Sequence, residues 1–194
     1  MSQQVWLIRH GATEWSKSGQ HTGSTDIPLE PEGEDAARSL AERLAGLQFA
    51  RVLTSPLQRA RLTATLAGFG HRLEVNADLR EWDYGDYEGR TTPDIRGEHP
   101  GWTIWADGAP SGEVAADVAE RVDRVIEDVR RTNGNVAVFA HGHLLRVFGA
   151  RWCDWPPEEG AHLALGTAAV SVLGYERETP VIIHWNDGPD DRPE

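Results

Sequence analysis

Strand and helix patterns alternate along the 194-residue chain, which predicts an α/β fold: three-layer α/β/α with a mainly parallel central sheet. Two observations carry that reading. Val5-Trp6-Leu7-Ile8 and Val136-Ala137-Val138-Phe139-Ala140 are short apolar runs of the kind buried in parallel sheets, and segments with helical spacing of apolar residues lie between them. A third observation bears on function. Each run passes directly into His-Gly, at His10-Gly11 and at His141-Gly142. Ligands of open α/β sheets sit at the carboxyl ends of strands, so parallel neighbours here would deliver both histidines to one edge.

The first strand is followed by a polar stretch, Thr13 to Pro31, and then by a helix from about Glu32 to Leu44 with Ala36, Ala37, Leu40, Ala41 and Leu44 on one face. Arg51 to Thr54 is a short strand. Ser55-Pro56-Leu57-Gln58 has the composition of a helix start, with Ser as N-cap, Pro in the first turn and Gln closing a capping box. Arg72 to Val75 reads as another strand. From about Glu81 to Gly112 periodicity fades, and the chain makes an excursion over the sheet's end with a short helix near Thr92 to Glu98. A long helix opens at Ser111 or Gly112 and runs to about Arg131, carrying Val118, Val122, Val125, Ile126 and Val129 at helical spacing. Asn133-Gly134 is a turn before the second apolar run, and Leu144 to Trp152 is a helix after it. Strands near Ala168 to Gly174 and Val181 to Trp185 are expected to pair antiparallel, and the Asp/Pro-rich tail from Asn186 is expected to fray. No internal repeat is evident.

The length fits one domain, 1–194, with its active-site excursion at about 82–112. Hydrophobic residues make up 39% and charged residues 26%, ordinary values for a globular protein, and no apolar run approaches the roughly 20 residues of a membrane span. Met1-Ser2-Gln3-Gln4 lacks the regions of a signal peptide, so no membrane association is expected. Cys153 is the only cysteine; it excludes an intrachain disulfide and points to a reducing, cytoplasmic setting. A net charge of −12 argues against nucleic acid as a partner but not against a small phosphorylated metabolite held by a few convergent arginines. A homo-oligomer is left open.

The candidate site residues accumulate from the strand ends. Arg9-His10-Gly11 sets a cation beside an imidazole, with a glycine that permits close backbone approach. Arg59 lies in the first turn of a predicted helix, where the dipole disfavours a cation unless an anion binds; position alone does not separate that role from a solvated surface arginine. Glu81 lies in Leu79-Arg80-Glu81-Trp82-Asp83-Tyr84-Gly85, where burial against aromatic rings suits a general acid. Asp83, Asp86 and Glu88 compete with it.

Arg9-His10-Gly11-Ala12-Thr13-Glu14-Trp15, Thr22-Gly23, Ser55-Pro56-Leu57-Gln58-Arg59-Ala60, Glu81-Trp82-Asp83-Tyr84-Gly85 and Ala140-His141-Gly142 occur in that order. In these motifs the chain resembles the histidine phosphatase superfamily, phosphoglycerate mutase-like branch, over about Val5 to Leu173. The resemblance implies that His10 is a nucleophile that becomes phosphohistidine, that Arg9, Arg59 and His141 hold the phosphoryl oxygens, and that Glu81 protonates the leaving oxygen. It implies no metal and no other cofactor, since the arginines supply the positive charge. Phosphoryl transfer asks for in-line positioning and cationic stabilisation, which such a set provides.

Departures from the mutase pattern favour hydrolysis. Mutases of this family typically carry arginine directly after the acid glutamate, where this chain has Trp82, and an Arg-Arg pair in the excursion, where this chain has only the separate Arg90 and Arg96. Ser16 replaces the usual asparagine. Thr13 to Thr22-Gly23 and Leu79 to Gly89 are similar to the sedoheptulose bisphosphatase and small acid phosphatase subgroup, which implies a sugar or similar small-metabolite phosphate. Ser16, His21, Thr22, Gly23, Tyr84 and Gly142 are the expected substrate-binding residues, with Trp82, Trp102 and Trp105 as candidate walls. The alternatives are a phosphoglycerate mutase, a metal-dependent hydrolase using His10, Asp83, His141 and His143, and an inactive binding module of the same fold.

Overall fold

A computed structural model describes residues 3–188 and places six strands in one sheet, in the order β3-β2-β4-β1-β5-β6. These are β1 Val5–Arg9, β2 Arg51–Thr54, β3 Leu73–Val75, β4 Val136–Ala140, β5 Val170–Glu176 and β6 Thr179–Asp187. The first four run parallel, and β5 and β6 pair antiparallel on the far side of β1. The expected mainly parallel sheet and the antiparallel terminal pair are both present.

The helices are α1 Glu14–Ser18, α2 Pro31–Arg43, α3 Gln58–Ala64, α4 Thr92–Glu98, α5 Ile104–Asp107, α6 Ala115–Arg130 and α7 Gly142–Trp152. They cover both faces of the sheet. On β4, Val136, Val138 and Ala140 pack with Val118, Val122 and Val125 of α6 and with Leu144 and Val147 of α7. Ala137 and Phe139 face the other way, onto Leu40 of α2 and Ala64 of α3. Period-2 alternation therefore sorts one strand between two apolar layers. The valines of α6 are weak helix formers alone; burial of their shared face overrides that preference.

Several boundaries depart from the sequence expectations, each because a distant group intervenes. Ser55 does not cap a helix beginning at Pro56: α3 begins at Gln58, whose backbone N–H is taken by the Asp26 carboxylate at 2.8 Å, while Ser55 Oγ lies 2.7 Å from His141 Nε2. The long helix starts at Ala115 rather than at Ser111 or Gly112, because Ser111 adopts φ 60° in a turn and Asp117 accepts the Val114 N–H at 2.9 Å. The polar stretch hides α1, which Thr13 and Ser16 close with a capping box. Asn186 and Asp187 are not frayed but belong to β6, where the Asn186 amide oxygen accepts the Gly166 N–H at 2.7 Å; the rest of the expected tail, 189–194, lies outside the described residues.

The loop after β1 packs directly on the start of α2. A Cβ at Gly11 would lie 2.3 Å from the Gly33 carbonyl oxygen, and one at Gly33 would lie 2.2 Å from that of Ala12. Backbone meets backbone there, so no side chain can yield. Gly33→Ala is therefore expected to destabilise the fold by roughly 1–3 kcal/mol, the usual range for overpacking. Urea unfolding checks it: the midpoint should fall with the slope unchanged.

Candidate active site

Parallel pairing sets Arg9 opposite Ala140, and the His10 N–H continues the ladder to the Ala140 carbonyl at 3.0 Å. The next residues of the two strands are thereby neighbours, and the imidazoles of His10 and His141 lie 5.2 Å apart between centroids, edge to face. A cavity of about 260 Å³ opens at this edge, with Arg9, His10 and Glu81 on its wall.

His10 is buried, and its Nδ1 lies 2.7 Å from the Gly11 carbonyl oxygen. A carbonyl only accepts, so Nδ1 carries the proton and Nε2 keeps its lone pair. Burial, and then the Arg9 and Arg59 charges, hold His10 well below the ordinary imidazole value. The ring is thus neutral, with a lone pair at Nε2 that is chemically able to attack an electrophile.

His141 has the opposite tautomer. Arg59 Nε donates to its Nδ1 at 3.2 Å, which leaves the proton on Nε2 for Ser55 Oγ at 2.7 Å. Arg59 itself is fully buried, not a surface arginine, and donates to the carbonyls of Thr22, Gly23 and Thr25 at 3.0, 3.0 and 2.9 Å. Each such charged hydrogen bond is worth about 1.5–3 kcal/mol, so the guanidinium fixes the 22–25 loop as well as supplying charge. Arg9 donates to the Leu165 carbonyl at 2.5 Å, while its buried Nε has no protein partner. Gly142 lets it lie close: a Cβ there would stand 3.3 Å from the Arg9 guanidinium.

Glu81 is 8% exposed, and its carboxylate accepts from the backbone N–H groups of Trp82, His143 and Leu144 at 2.9, 3.1 and 2.9 Å. It is therefore seated on the first turn of α7, where the helix dipole favours an anion. Its rivals are elsewhere. Asp83 and Asp86 are exposed, and Glu88 is committed to the N–H groups of Gly23 and Thr25.

Of the expected substrate-binding residues, Ser16, His21, Thr22, Tyr84 and Gly142 line the cavity. Ser16 does so with its hydroxyl engaged by both the N–H and the carbonyl of Thr13. Gly23 is displaced behind the wall, on a second, smaller cavity. Trp82, Trp102 and Trp105 do not form the wall. Trp82 is fully buried with Nε1 on the Glu113 carbonyl, and Trp102 Nε1 bonds the Gly108 carbonyl at 3.0 Å. The tryptophan on the cavity is Trp15, which sequence reasoning passed over.

His143, a candidate for the rim or for a metal from its sequence, and Arg146, which the sequence does not single out, also line the cavity. Arg146 lies on the cavity, half-buried, with Nε and Nη2 on the carbonyls of Gly160 and Ala161 and its guanidinium 4.6 Å from the Trp105 ring centroid. His143 Nδ1 lies 2.6 Å from the Tyr84 hydroxyl, whose phenol burial and then Glu81 push well above the ordinary value. His143 and Arg146 stand three residues apart on α7, on one helix face just after His141, the one signal that would have found them. The imidazoles do not converge as metal ligands: His141 Nδ1 faces a guanidinium, His143 Nδ1 faces a phenol, and Asp83 is exposed. Among the described residues no group of three or more His, Cys, Asp or Glu is placed to hold a metal ion, and no helix is long and apolar enough to cross a membrane.

A sequence model of the histidine phosphatase superfamily (branch 1) matches residues 5–188. An acid phosphatase of Mycobacterium tuberculosis is 38% identical over 179 residues, spanning 90% of this chain and 88% of that protein. Sedoheptulose 1,7-bisphosphatase of Saccharomyces cerevisiae is 40% identical over 179 residues, spanning 75% of this chain and 66% of that protein. The solved structure of an open reading frame of Mycobacterium tuberculosis superposes with a TM-score of 0.92 at 35% identity, over 97% of this chain and 99% of that one.

Burial is the largest cause of depression for each imidazole around the cavity: His10, His141 and His143 lie well below 6.5, and His21 lies at about 4. In the unfolded chain all titrate near 6.5. Below that value the unfolded state binds more protons, so stability rises with pH: it is complete above about pH 6.5 and is lost as the pH falls toward the folded values. The urea midpoint should accordingly be lower at pH 5 than at pH 7.5. For His21 alone the loss by pH 5 is on the order of 2 kcal/mol, so His21→Phe should narrow the difference; an unchanged pH response would count against the depressed value.

Proposed function

The chain belongs to branch 1 of the histidine phosphatase superfamily, and on that premise we propose how its site works and on what. It is a phosphatase of small phosphorylated metabolites. In our reading His10 Nε2 attacks the phosphorus in line, the bond to the leaving oxygen breaks, and Glu81, entering this step as the carboxylic acid, gives its proton to that oxygen. Water, relieved of a proton by Glu81, then displaces phosphate from His10. Arg9, with Arg59 and His141 behind it, stabilises the three equatorial oxygens. The observation that carries this is the His10 ring, neutral, bonded through Nδ1 to the Gly11 carbonyl and so free at Nε2 on the cavity wall.

Hydrolysis is favoured over phosphoryl return. Trp82 puts an indole in the core directly after Glu81, where the mutase pattern has a cation. Arg90 is paired with Glu98 at 2.7 Å and Arg96 bonds the Trp102 carbonyl at 2.8 Å, so neither is offered to a substrate acid. The narrower reading is a sugar phosphatase of the acid phosphatase and sedoheptulose bisphosphatase subgroup, supported by the motifs at Thr13–Gly23 and Leu79–Gly89 and by the similarity to those two proteins. Arg146 adds a cation on the cavity beyond those assigned to the transferred group, which favours substrates with a second anionic group.

Phosphate release from sugar mono- and bisphosphates and phosphoglycerates tests both levels. His10→Ala should lower kcat by roughly three orders of magnitude or more; wild-type turnover would sink the mechanism, and mutase turnover exceeding phosphate release would overturn the hydrolase reading. Arg146→Met should raise KM for a bisphosphate about tenfold, equivalent to 1.4 kcal/mol, and leave KM for its monophosphate unchanged.

A further inference from the structure

The segment that carries Glu81 has little regular structure of its own: one 3₁₀ turn at Ala77–Leu79, then irregular chain up to Tyr84. Its position is set from behind by two charged side chains that the mechanism does not use. Arg121, in the middle of α6 and 7% exposed, donates through Nη1 to the carbonyls of Asp78 and Arg80 at 2.8 and 2.6 Å and through Nη2 to the carbonyl of Glu81 at 3.1 Å. The same guanidinium holds Glu113, Nε to Oε1 at 2.8 Å and Nη2 to Oε2 at 2.9 Å.

Glu113 completes the frame on the other side of Glu81. Its Oε2 accepts the Asp83 N–H at 2.9 Å, its own N–H donates to the Asp83 carbonyl at 2.9 Å, and its carbonyl accepts Trp82 Nε1 at 2.8 Å. The peptide units on both sides of the acid are thus fastened to one ion pair anchored on α6. Packing alone does not do this: a cavity of about 130 Å³ bordered by Arg80, Glu81, Glu113 and Arg121 lies behind the segment. With space at its back, the segment can shift once the frame is cut.

We propose that the Arg121–Glu113 pair is a positioning device for the acid, holding the Glu81 backbone so that its carboxyl stays registered between the first turn of α7 and the leaving oxygen. The proposal rests on the reading of Glu81 as the general acid. Arg121 touches no substrate and is a positioning residue; a planar fork that reaches successive carbonyls and a carboxylate together is a geometry lysine cannot reproduce.

The test uses leaving groups. A sugar alkoxide needs a proton to depart, whereas 2,4-dinitrophenolate leaves without one, so a misplaced acid lowers kcat/KM, which reports phosphorylation of His10 and not the later attack of water, only for the first. Arg121→Met is expected to lower kcat/KM for a sugar phosphate about 10²-fold with KM little changed, to leave 2,4-dinitrophenyl phosphate within about threefold, and so to reproduce the selectivity of Glu81→Gln. Arg121→Lys, which keeps the charge and loses the fork, is expected to fall between, and carries the same test where the methionine variant does not fold. Equal losses on both substrates in the Arg121 variants, or no loss on either, beside a selective Glu81→Gln, would overturn the proposal alone. A Glu81→Gln variant that hits both substrates equally would remove the acid assignment, and the proposal with it.

Discussion

The parallel pairing of β1 with β4 is the constraint on which the site depends. Its register, Arg9 opposite Ala140, fixes where each chain leaves the sheet, and the two histidines that follow are close because the strands end together. Slipping that register by one residue would turn every side chain of β1 to the opposite layer, burying Arg9 among apolar groups and carrying His10 away from the edge. The core of both helical layers therefore guards the chemistry: Val138 and Phe139, on opposite faces of β4, each select the same register.

Burial sets the electrical character of the edge. Two guanidiniums, Arg9 and Arg59, are pushed below their ordinary value by desolvation and partly restored by Glu81, yet keep their charge because arginine starts so high. The imidazoles beside them have no such reserve and are driven neutral. One environment thus yields fixed cations and uncharged nitrogen bases, which is the combination that attack on a phosphate ester requires. Glu81 faces these cations with its carboxyl tied to backbone N–H groups on α7. An incoming phosphoryl group meets a concentration of positive charge in a protein whose net charge is −12.

Local pattern sufficed where the determinant was local. Apolar runs gave the strands, Val118 to Val129 gave α6, and Thr91 with Asp94 closed α4 near where composition placed it. It failed where a distant group took over. Ser55 has the side chain of an N-cap, but its oxygen takes the Leu57 N–H ahead of the helix and His141, eighty-six residues on, while Asp26 takes the Gln58 N–H that opens α3. Arg59 was ambiguous because its partners are carbonyls of a loop whose path no periodicity records. The tryptophans misled for a related reason: an indole N–H needs an acceptor when buried, and Trp82 and Trp102 found backbone carbonyls in the excursion rather than a ligand.

That failure separates the two tasks of the molecule. Arg9 and His10, the proposed nucleophile, stand at the end of a strand that a parallel register positions within narrow limits. Glu81, the proposed acid, stands on an irregular segment, where no ladder supplies such precision and charged side chains take its place. Arg121 supplies from a helix what hydrogen bonding between strands supplies elsewhere, a set of donors spaced to successive carbonyls. The excursion can then vary its outer surface, where Thr92 and Tyr84 meet the cavity, without moving Glu81. In the site as proposed, Trp15, Ser16 and Thr92 on the cavity and the Arg121–Glu113 pair behind Glu81 are fastened to different parts of the fold, so specificity can be reshaped while the reaction is kept.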